Sequence, residues 1–249
     1  MISLEDISKI YHDGQDNEVA ALQQIRLYIR KGEYVVLIGA NGSGKTTLLN
    51  MIAGTGKVSS GKVIFDGVDV TRFPEYKRSK WIARVFQNPY TGTSSELSIL
   101  DNFRLAALRT KRKKLIIGID SAFRKRVRDM ISKLDMGLEN KTDQLMGSLS
   151  GGQRQALTLL MSVMDDASIL LMDEPTAALD PKSASQILRL ANQIILEYKL
   201  TAILITHNLK EAQQNGNRLI QFQEGRIRRD IPEKEKSEIS LTDMLPWFE

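Results

Sequence analysis

"EYVVLIGANGSGKTTLLNMIAG", Glu33 to Gly54, changes character twice along its length. Its first part, "EYVVLIGA", is a short β-branched apolar run ending in glycine, the pattern of a buried strand. Its last part, "GKTTLLNMIAG", reads as a helix that stops at Gly54. The turn between them has a glycine, four residues and then Gly-Lys-Thr. Glycines let backbone N–H groups curl around phosphate oxygens, and the start of the helix adds positive potential. In such a turn Lys45 reaches the outer phosphates and the Thr46 hydroxyl ligates Mg²⁺. An ordinary βα turn is the plainer reading, and the strand-loop-helix setting favours the phosphate cradle over it.

On either side of this stretch the chain keeps the same grammar. "SSGKVIFDGVDVT" alternates apolar and polar residues around Asp66-Gly67, which signals a β-hairpin. Between Pro89 and Asp165 the spacing turns helical in "ELSILDNFRLAAL", "SAFRKRVRDMISKL" and "GGQRQALTLLMSVM". Strand patterns resume at "SILLMDE", "TAILITH", "NRLIQFQ" and "GRIRRDI". A helix, "DPKSASQILRLANQIILEY", follows the first of them, with Asp180 placed to cap it and Pro181 at its first position. Strands alternating with helices predict a largely parallel α/β sheet. The expected division is one domain over 1–249, with an α/β core at 1–88 and 166–249 and a helical insert at 89–165.

Polar residues gather at the ends of the predicted strands. "SILLMDEP" delivers Asp173 and Glu174 after an apolar run, at the carboxyl edge where open α/β sheets collect ligands. Consecutive residues point to opposite sides, so the two acids suit different posts. Asp173 fits a Mg²⁺ shell and Glu174 a general base aimed at water attacking a γ-phosphate. Acids that simply end a strand in solvent are common, and it is the phosphate turn in the same chain that favours chemistry. Gln87 ends "WIARVFQNP" and His207 ends "AILITHN"; His207 can donate to a γ-phosphate. His12 has no such setting and reads as surface. "LSGGQ", Leu149 to Gln153, starts a helix with two glycines, which cost a helix interior about 1 kcal/mol each relative to alanine. With Ser150 as N-cap, Gly151 and Gly152 leave the first backbone N–H groups unobstructed, which makes a second anion site.

Composition narrows the setting. At 249 residues, 42% hydrophobic and 26% charged, the chain suits one large domain or a core with an insert. Without cysteine it has no disulfide and no thiolate metal site. Its start, "MISLEDISKIYHDG", has acids where a signal peptide needs a basic flank, and no apolar run approaches the roughly 18 residues of a membrane span. The expected location is cytoplasmic, with any membrane role supplied by a partner. The net charge of +5 is concentrated in "RTKRKK" (Arg109–Lys114) and "RKRVR" (Arg124–Arg128). A solvated face, an anionic lipid surface and nucleic acid are the readings open to these runs.

The phosphate turn, Gln87, "LSGGQ", "ILLMDE", "ALD" and His207 follow one another in the order and spacing of ATP-binding-cassette ATPases, and the resemblance covers nearly the whole chain. It implies a P-loop NTPase (RecA-like) α/β core with an antiparallel β subdomain and an inserted α-helical signature subdomain. It also implies ATP and Mg²⁺ as cofactors, with Tyr11 stacking on adenine. Gly39, Asn41, Gly42, Ser43, Gly44, Lys45, Thr46 and Thr47 would surround the phosphates, and Thr46, Gln87 and Asp173 would serve the metal. Glu174, His207, Lys45 and Gln87 would carry the catalysis. In this family two cassettes pair head to tail, so Ser150, Gly151, Gly152 and Gln153 would clamp the γ-phosphate held by a second copy, with Asp180 linking the two sites. The implied partners are that second copy, integral membrane permease subunits and an extracytoplasmic solute-binding protein, with no nucleic acid expected. The location implied is peripheral, on the inner face of the cell membrane.

Within the family the sequence is similar to the ATP-binding subunits of bacterial tryptophan/tyrosine-type uptake systems. "DNFRLAALR", "GLENKTDQLMGSLSGGQRQALTLLMSVM", "TAALDPKSA" and "GNRLIQFQEGRI" carry that closer likeness. Pro175, where that subfamily often has histidine, departs from it and follows the wider family. An ATPase of this family that transports nothing, an exporter subunit and a regulatory cassette are the alternatives. The resemblance favours transport, since the non-transport types tend to fuse two cassettes, carry long coiled coils or add dedicated arms, and none of these is visible in this sequence.

Overall fold

The computed structural model describes residues 1–12, 14, 17–109 and 118–247. They form two compact units, Met1–Arg78 with Leu200–Glu249, and Ser79–Lys199. The first unit opens with β1 (Ile2–Tyr11), β2 (Val19–Ile29), β3 (Tyr34–Ile38), α1 (Lys45–Ala53), β4 (Ser60–Phe65), β5 (Val68–Asp69) and the one-turn α2 (Glu75–Arg78). The second holds β6 (Ile82–Val85), α3 (Ile99–Ala107), α4 (Ser121–Ser132), α5 (Gly151–Met161), β7 (Ile169–Asp173) and α6 (Pro181–Tyr198). The chain then returns to the first unit through β8 (Thr201–Ile205), α7 (Leu209–Gln214), β9 (Arg218–Gln223), β10 (Arg226–Ile231), α8 (Glu233–Lys236) and α9 (Leu241–Met244).

In the first unit β3 lies between β8 and β9 and runs parallel to both, with Tyr34 opposite Ala202 and Val35 opposite Arg218. A strand with neighbours on both sides and cover on both faces has no solvent side, and all five β3 residues are buried. β10 returns antiparallel to β9. A second sheet, in the order β2-β1-β4-β5, is antiparallel throughout. The expected hairpin is β4–β5, and its Asp66 (φ 48°) and Gly67 (φ 82°) take the paired left-handed conformations that a tight hairpin turn needs. Alternation is broken along β1 and the first half of β2, where bulges shift their register after Leu4, Ile7 and Lys9, and is regular from Ile25 to Ile29. Asp6 and Gln24 take positive φ along these strands, and the phase of the buried side chains changes there.

The second unit pairs β6 with β7 in parallel, Ile82 opposite Ile169. α3 to α5 all lie within the stretch 89–165. α5 packs against α3, α4, α6 and β6, and every residue from Arg154 to Met161 is buried. Side chains cap the starts of α3, α5 and α6 as the sequence pattern requires: Ser98 with Asp101, Ser150 with Gln153, and Asp180 ahead of Pro181. Of the basic runs, residues 110–114 lie outside the described residues. Arg109 forms a bidentate pair with Asp165 at 2.5 and 2.8 Å, and Arg124 bonds Asp143. Lys125, Arg126 and Arg128 face solvent on α4. Among the described residues no helix is long and apolar enough to cross a membrane.

Arg78 fixes the far end of α1. Its guanidinium, only 1% exposed, donates to Met51 O at 2.6 Å, Ile52 O at 2.9 Å, Thr71 O at 2.9 Å and Phe73 O at 3.0 Å. Met51 and Ile52 belong to the last helical turn, whose carbonyls have no partner within the helix, and a cation there also opposes the helix dipole. Burial pulls the Arg78 pKa down to about 10, so it is charged at neutral pH. Gly54 ends the helix at φ 82°, and a Cβ there would sit 2.8 Å from Arg78 Nε. Arg78→Met should lower the unfolding free energy by about 3 kcal/mol, since it leaves several buried carbonyls unpaired. Urea denaturation checks this, and a loss below about 1 kcal/mol would mean that those carbonyls find other donors.

Candidate active site

The first unit builds the phosphate turn. β3 ends at Ile38 and α1 begins at Lys45. Gly39 takes φ 145°, and a Cβ on it would lie 2.1 Å from Phe222 O. Gly44 takes φ 103°, and a Cβ would lie 2.5 Å from Ala21 O. Gly42, at φ 79°, has open space around it and is required by conformation alone. Gly44 is the N-cap of α1, and no side chain caps that helix. Its positive end is therefore presented to whatever anion enters the turn, which fits a phosphate.

Lys45 is 5% exposed and lies back along the same turn. Its ammonium donates to Gly39 O at 2.8 Å, Ala40 O at 2.9 Å and Ser43 Oγ at 3.4 Å. Ser43 is buried, while Asn41 and Thr46 are exposed and Thr47 is half-buried. The turn is braced from outside, with Ser43 O accepting from Gly225 N–H at 3.0 Å. His207 follows β8 and is exposed, next to Asn208, which caps α7 by accepting from Lys210 and Glu211 N–H groups. Tyr11 ends β1 with its ring 39% exposed and Lys9 Nζ 4.7 Å from the ring centroid, so a cation covers part of the ring. His12 is exposed.

The second unit carries the acids. β7 is buried along its length and ends in Asp173 (8% exposed), with Glu174 half-buried beyond it. Glu174 has φ 45°, in the left-handed region that a side chain makes costly. Strain of this kind is characteristic of functional positions. Gln87 Nε2 donates to Glu174 Oε2 at 3.3 Å, so these two predicted residues meet. Bonding through nitrogen leaves the Gln87 carbonyl oxygen as an acceptor, and carbonyl and carboxylate oxygens such as those of Gln87 and Asp173 are the hard ligands that would suit Mg²⁺. Asp173 also accepts from Arg84 Nη2 at 3.3 Å, both side chains being 11% exposed. Arg84 was not foreseen. Its signal was a lone arginine inside the apolar run "WIARVF", and its guanidinium lies over the Phe86 ring at 4.7 Å.

The Gly-Gly helix start is also in this unit. Ser150 Oγ accepts from Gln153 N–H at 3.3 Å, and Gln153 Oε1 accepts from Ser150 N–H at 3.1 Å. The two glycines differ in their surroundings. A Cβ on Gly152 would lie 3.2 Å from Ser183 Oγ, whereas one on Gly151 would meet only ordinary contacts at 3.4 Å or beyond. Gly152 therefore has a packing reason, the close approach of α5 to the start of α6. Asp180 Oδ1 accepts from Lys182 and Ser183 N–H groups at 3.0 Å. Hydrogen bonds from the Ser183 side chain and backbone hold the Asp180 carboxyl below the usual carboxylate range.

The left-handed conformation at Glu174 reverses the usual order of two substitutions. Glu174→Gly should be more stable than Glu174→Ala by about 1 kcal/mol, because both lose the side chain and only glycine is unstrained there. Urea midpoints of the two variants decide it, and a more stable alanine variant would place residue 174 outside that region.

Comparison with known proteins places these groups in a lineage. The ABC transporter family model matches residues 22–177. The tyrosine transport ATP-binding protein of Clostridioides difficile (strain R20291) is 35% identical over 252 residues, covering 100% of this chain and 99% of that protein. The thiamine import ATP-binding protein of Escherichia coli (strain K12) is 32% identical over 228 residues, 91% of this chain and 90% of that protein. Among solved structures, a dimeric ATP-binding cassette in a post-hydrolysis state, bound to ADP and Pi, superposes with a TM-score of 0.80 at 28% identity, covering 94% of this chain and 99% of its own. A phosphate turn on a buried parallel strand, acids at the end of another and a capped Gly-Gly helix start thus occur together with full-length similarity: the chain belongs to the ABC transporter family, as an ATP-hydrolysing cassette of the P-loop NTPase fold.

Proposed function

We propose that this chain is the energy-coupling ATPase subunit of a bacterial importer of a small solute, with an aromatic amino acid as the substrate class. The hydrolysis reading is carried by Glu174, a carboxylate held in a strained conformation at the end of buried β7 and bonded by Gln87. The importer reading is supported by likeness to tyrosine transport and thiamine import ATP-binding proteins along nearly the whole chain. Tyr11 stacks on adenine. Gly39, Asn41, Gly42, Ser43, Gly44, Lys45, Thr46 and Thr47 hold the phosphates. Lys45 then exchanges its loop carbonyls for phosphate oxygens, a stronger charge-assisted partner.

Thr46, Gln87 and Asp173 are the residues that would hold Mg²⁺. When bound, the ion neutralises charge on the β- and γ-phosphates. Glu174 accepts a proton from the attacking water, and His207 donates to the γ-phosphate. Ser150, Gly151, Gly152 and Gln153 meet the γ-phosphate held by a second copy of this chain, and Asp180 links the two sites. ATP closes this head-to-tail pair and hydrolysis reopens it. The stretch 89–165 docks on integral membrane permease subunits, which places the chain at the inner face of the cell membrane, with a solute-binding protein on the other side.

Glu174→Gln should cut ATP hydrolysis by roughly 10² to 10⁴ while leaving ATP binding intact. The same variant should dimerise with ATP and not with ADP, as read by light scattering. Near-normal turnover would remove Glu174 from its post, and a persistent monomer would remove the opposing-copy role of Ser150–Gln153. Chain tagged in its native host and purified from detergent-solubilised membranes should bring down a polytopic protein at near-equal amount. Recovery only with ribosomes or nucleic acid would move the chain to the non-transport branch of its family.

A further inference from the structure

Gln155 lies on α5, two residues past the capping box, and is 1% exposed. Its amide nitrogen donates to the Phe86 carbonyl at 2.9 Å and to the Pro175 carbonyl at 3.0 Å. A carboxamide nitrogen has two N–H groups, and both are used. Phe86 immediately precedes Gln87, and Pro175 immediately follows Glu174. One buried side chain thus spans the two backbone segments that carry the bonded pair Gln87 and Glu174, and ties both to the helix that begins at Ser150.

Glu174 gives this tie a physical purpose. Its φ of 45° costs about 1–2 kcal/mol for a residue with a side chain. The proline that follows restricts it further, toward extended backbone. A conformation of this kind persists only where its surroundings over-determine it. On the C-terminal side Ala177 N–H donates to Glu174 O at 3.1 Å, and Gln155 holds the carbonyl of the next residue. On the side-chain end Gln87 holds the carboxylate, and the backbone entering Gln87 is held by the same Gln155 nitrogen. Apolar, acidic and shorter side chains do not replace this amide. Leucine or methionine fills the volume and leaves two buried carbonyls without a donor. Glutamate sets oxygen against oxygen. Asparagine is shorter by one carbon–carbon bond, about 1.5 Å.

We infer that Gln155 is a positioning residue for ATP hydrolysis, setting Glu174 and Gln87 relative to one another by bonding the backbone beside each from the signature helix. The inference rests on the reading of Glu174 as general base. It also joins the helix whose first turn meets the second copy's nucleotide to the base acting within its own chain.

The test uses the full chain with Gln155→Met and Gln155→Asn. Each should lower kcat by a factor on the order of 10 to 100, the size expected for misplacing a catalytic group by about 1 Å. KM for ATP and the binding of trinitrophenyl-ATP should stay within about twofold, because the phosphate turn is untouched. In the Glu174→Gln background, under single turnover, Gln155→Met should cause a markedly smaller loss, the part that acts through Gln87 alone. A merely structural role would lower the residual rate by the same factor there. Should Gln155→Met fail to fold, as judged by its Tm, Gln155→Asn with its amide retained carries the comparison. Unchanged kcat in the folded variants, or an equal loss in both backgrounds, overturns the inference while leaving the base reading in place. Near-normal turnover of Glu174→Gln itself would overturn the base reading, and the positioning role with it.

Discussion

Backbone crowding around the turn between β3 and α1 governs the first unit. At Gly39 the Phe222 carbonyl, and at Gly44 the Ala21 carbonyl, occupy the space that a Cβ would need. Those carbonyls come from β9 in one sheet and β2 in the other, so backbone from both sheets of that unit crowds the turn. Glycine permits the approach, and the turn then has one shape rather than many. The same crowding extends to Gly225, whose N–H bonds Ser43 O and whose own Cβ would lie 2.8 Å from Ala21 O. With Arg78 fixing the other end of α1, the helix is set at both termini, and its positive end faces the anion site. A cradle for phosphate is the consequence of this packing.

The second unit meets a different demand, holding acids at the end of a buried strand. Burying a carboxylate is costly unless it is paired or hydrogen-bonded. Buried Asp173 has Arg84 and half-buried Glu174 has Gln87, while the exposed Asp180 takes the backbone N–H groups that open α6. Lys45 in the first unit follows the same rule with the carbonyls of its own turn. Each of these charges therefore has a local partner. Glu174 adds backbone strain, and the bonds around it, from Gln87, Ala177 and the Gln155–Pro175 contact, concentrate there.

Local signals are legible in the chain alone. The phosphate turn, the stop at Gly54, the Asp66-Gly67 hairpin and the caps at Ser150 and Asp180 each depend on residues a few positions apart, and all are present. β3, with its continuous apolar run, was equally plain, because a strand covered on every side has no polar face to confuse with anything else. β1 and β2 were harder. Bulges interrupt the alternation on which a strand is recognised, so that it survives only in the short "IRLYI", Ile25–Ile29.

By itself, then, the sequence determined the alternation of strands and helices from β3 onward, the shape of the phosphate turn and the family to which the chain belongs, since these follow from spacing along the backbone. The tertiary structure decided which residues support them. Arg84 reaches Asp173 across 89 positions, Gln155 reaches Phe86 across 69, and Arg78 reaches Met51 across 27. Gly152 is pressed not by its sequence neighbours but by Ser183. No local periodicity records such pairings. They exist because a buried donor or acceptor must find its complement wherever the folded backbone brings one within about 3 Å.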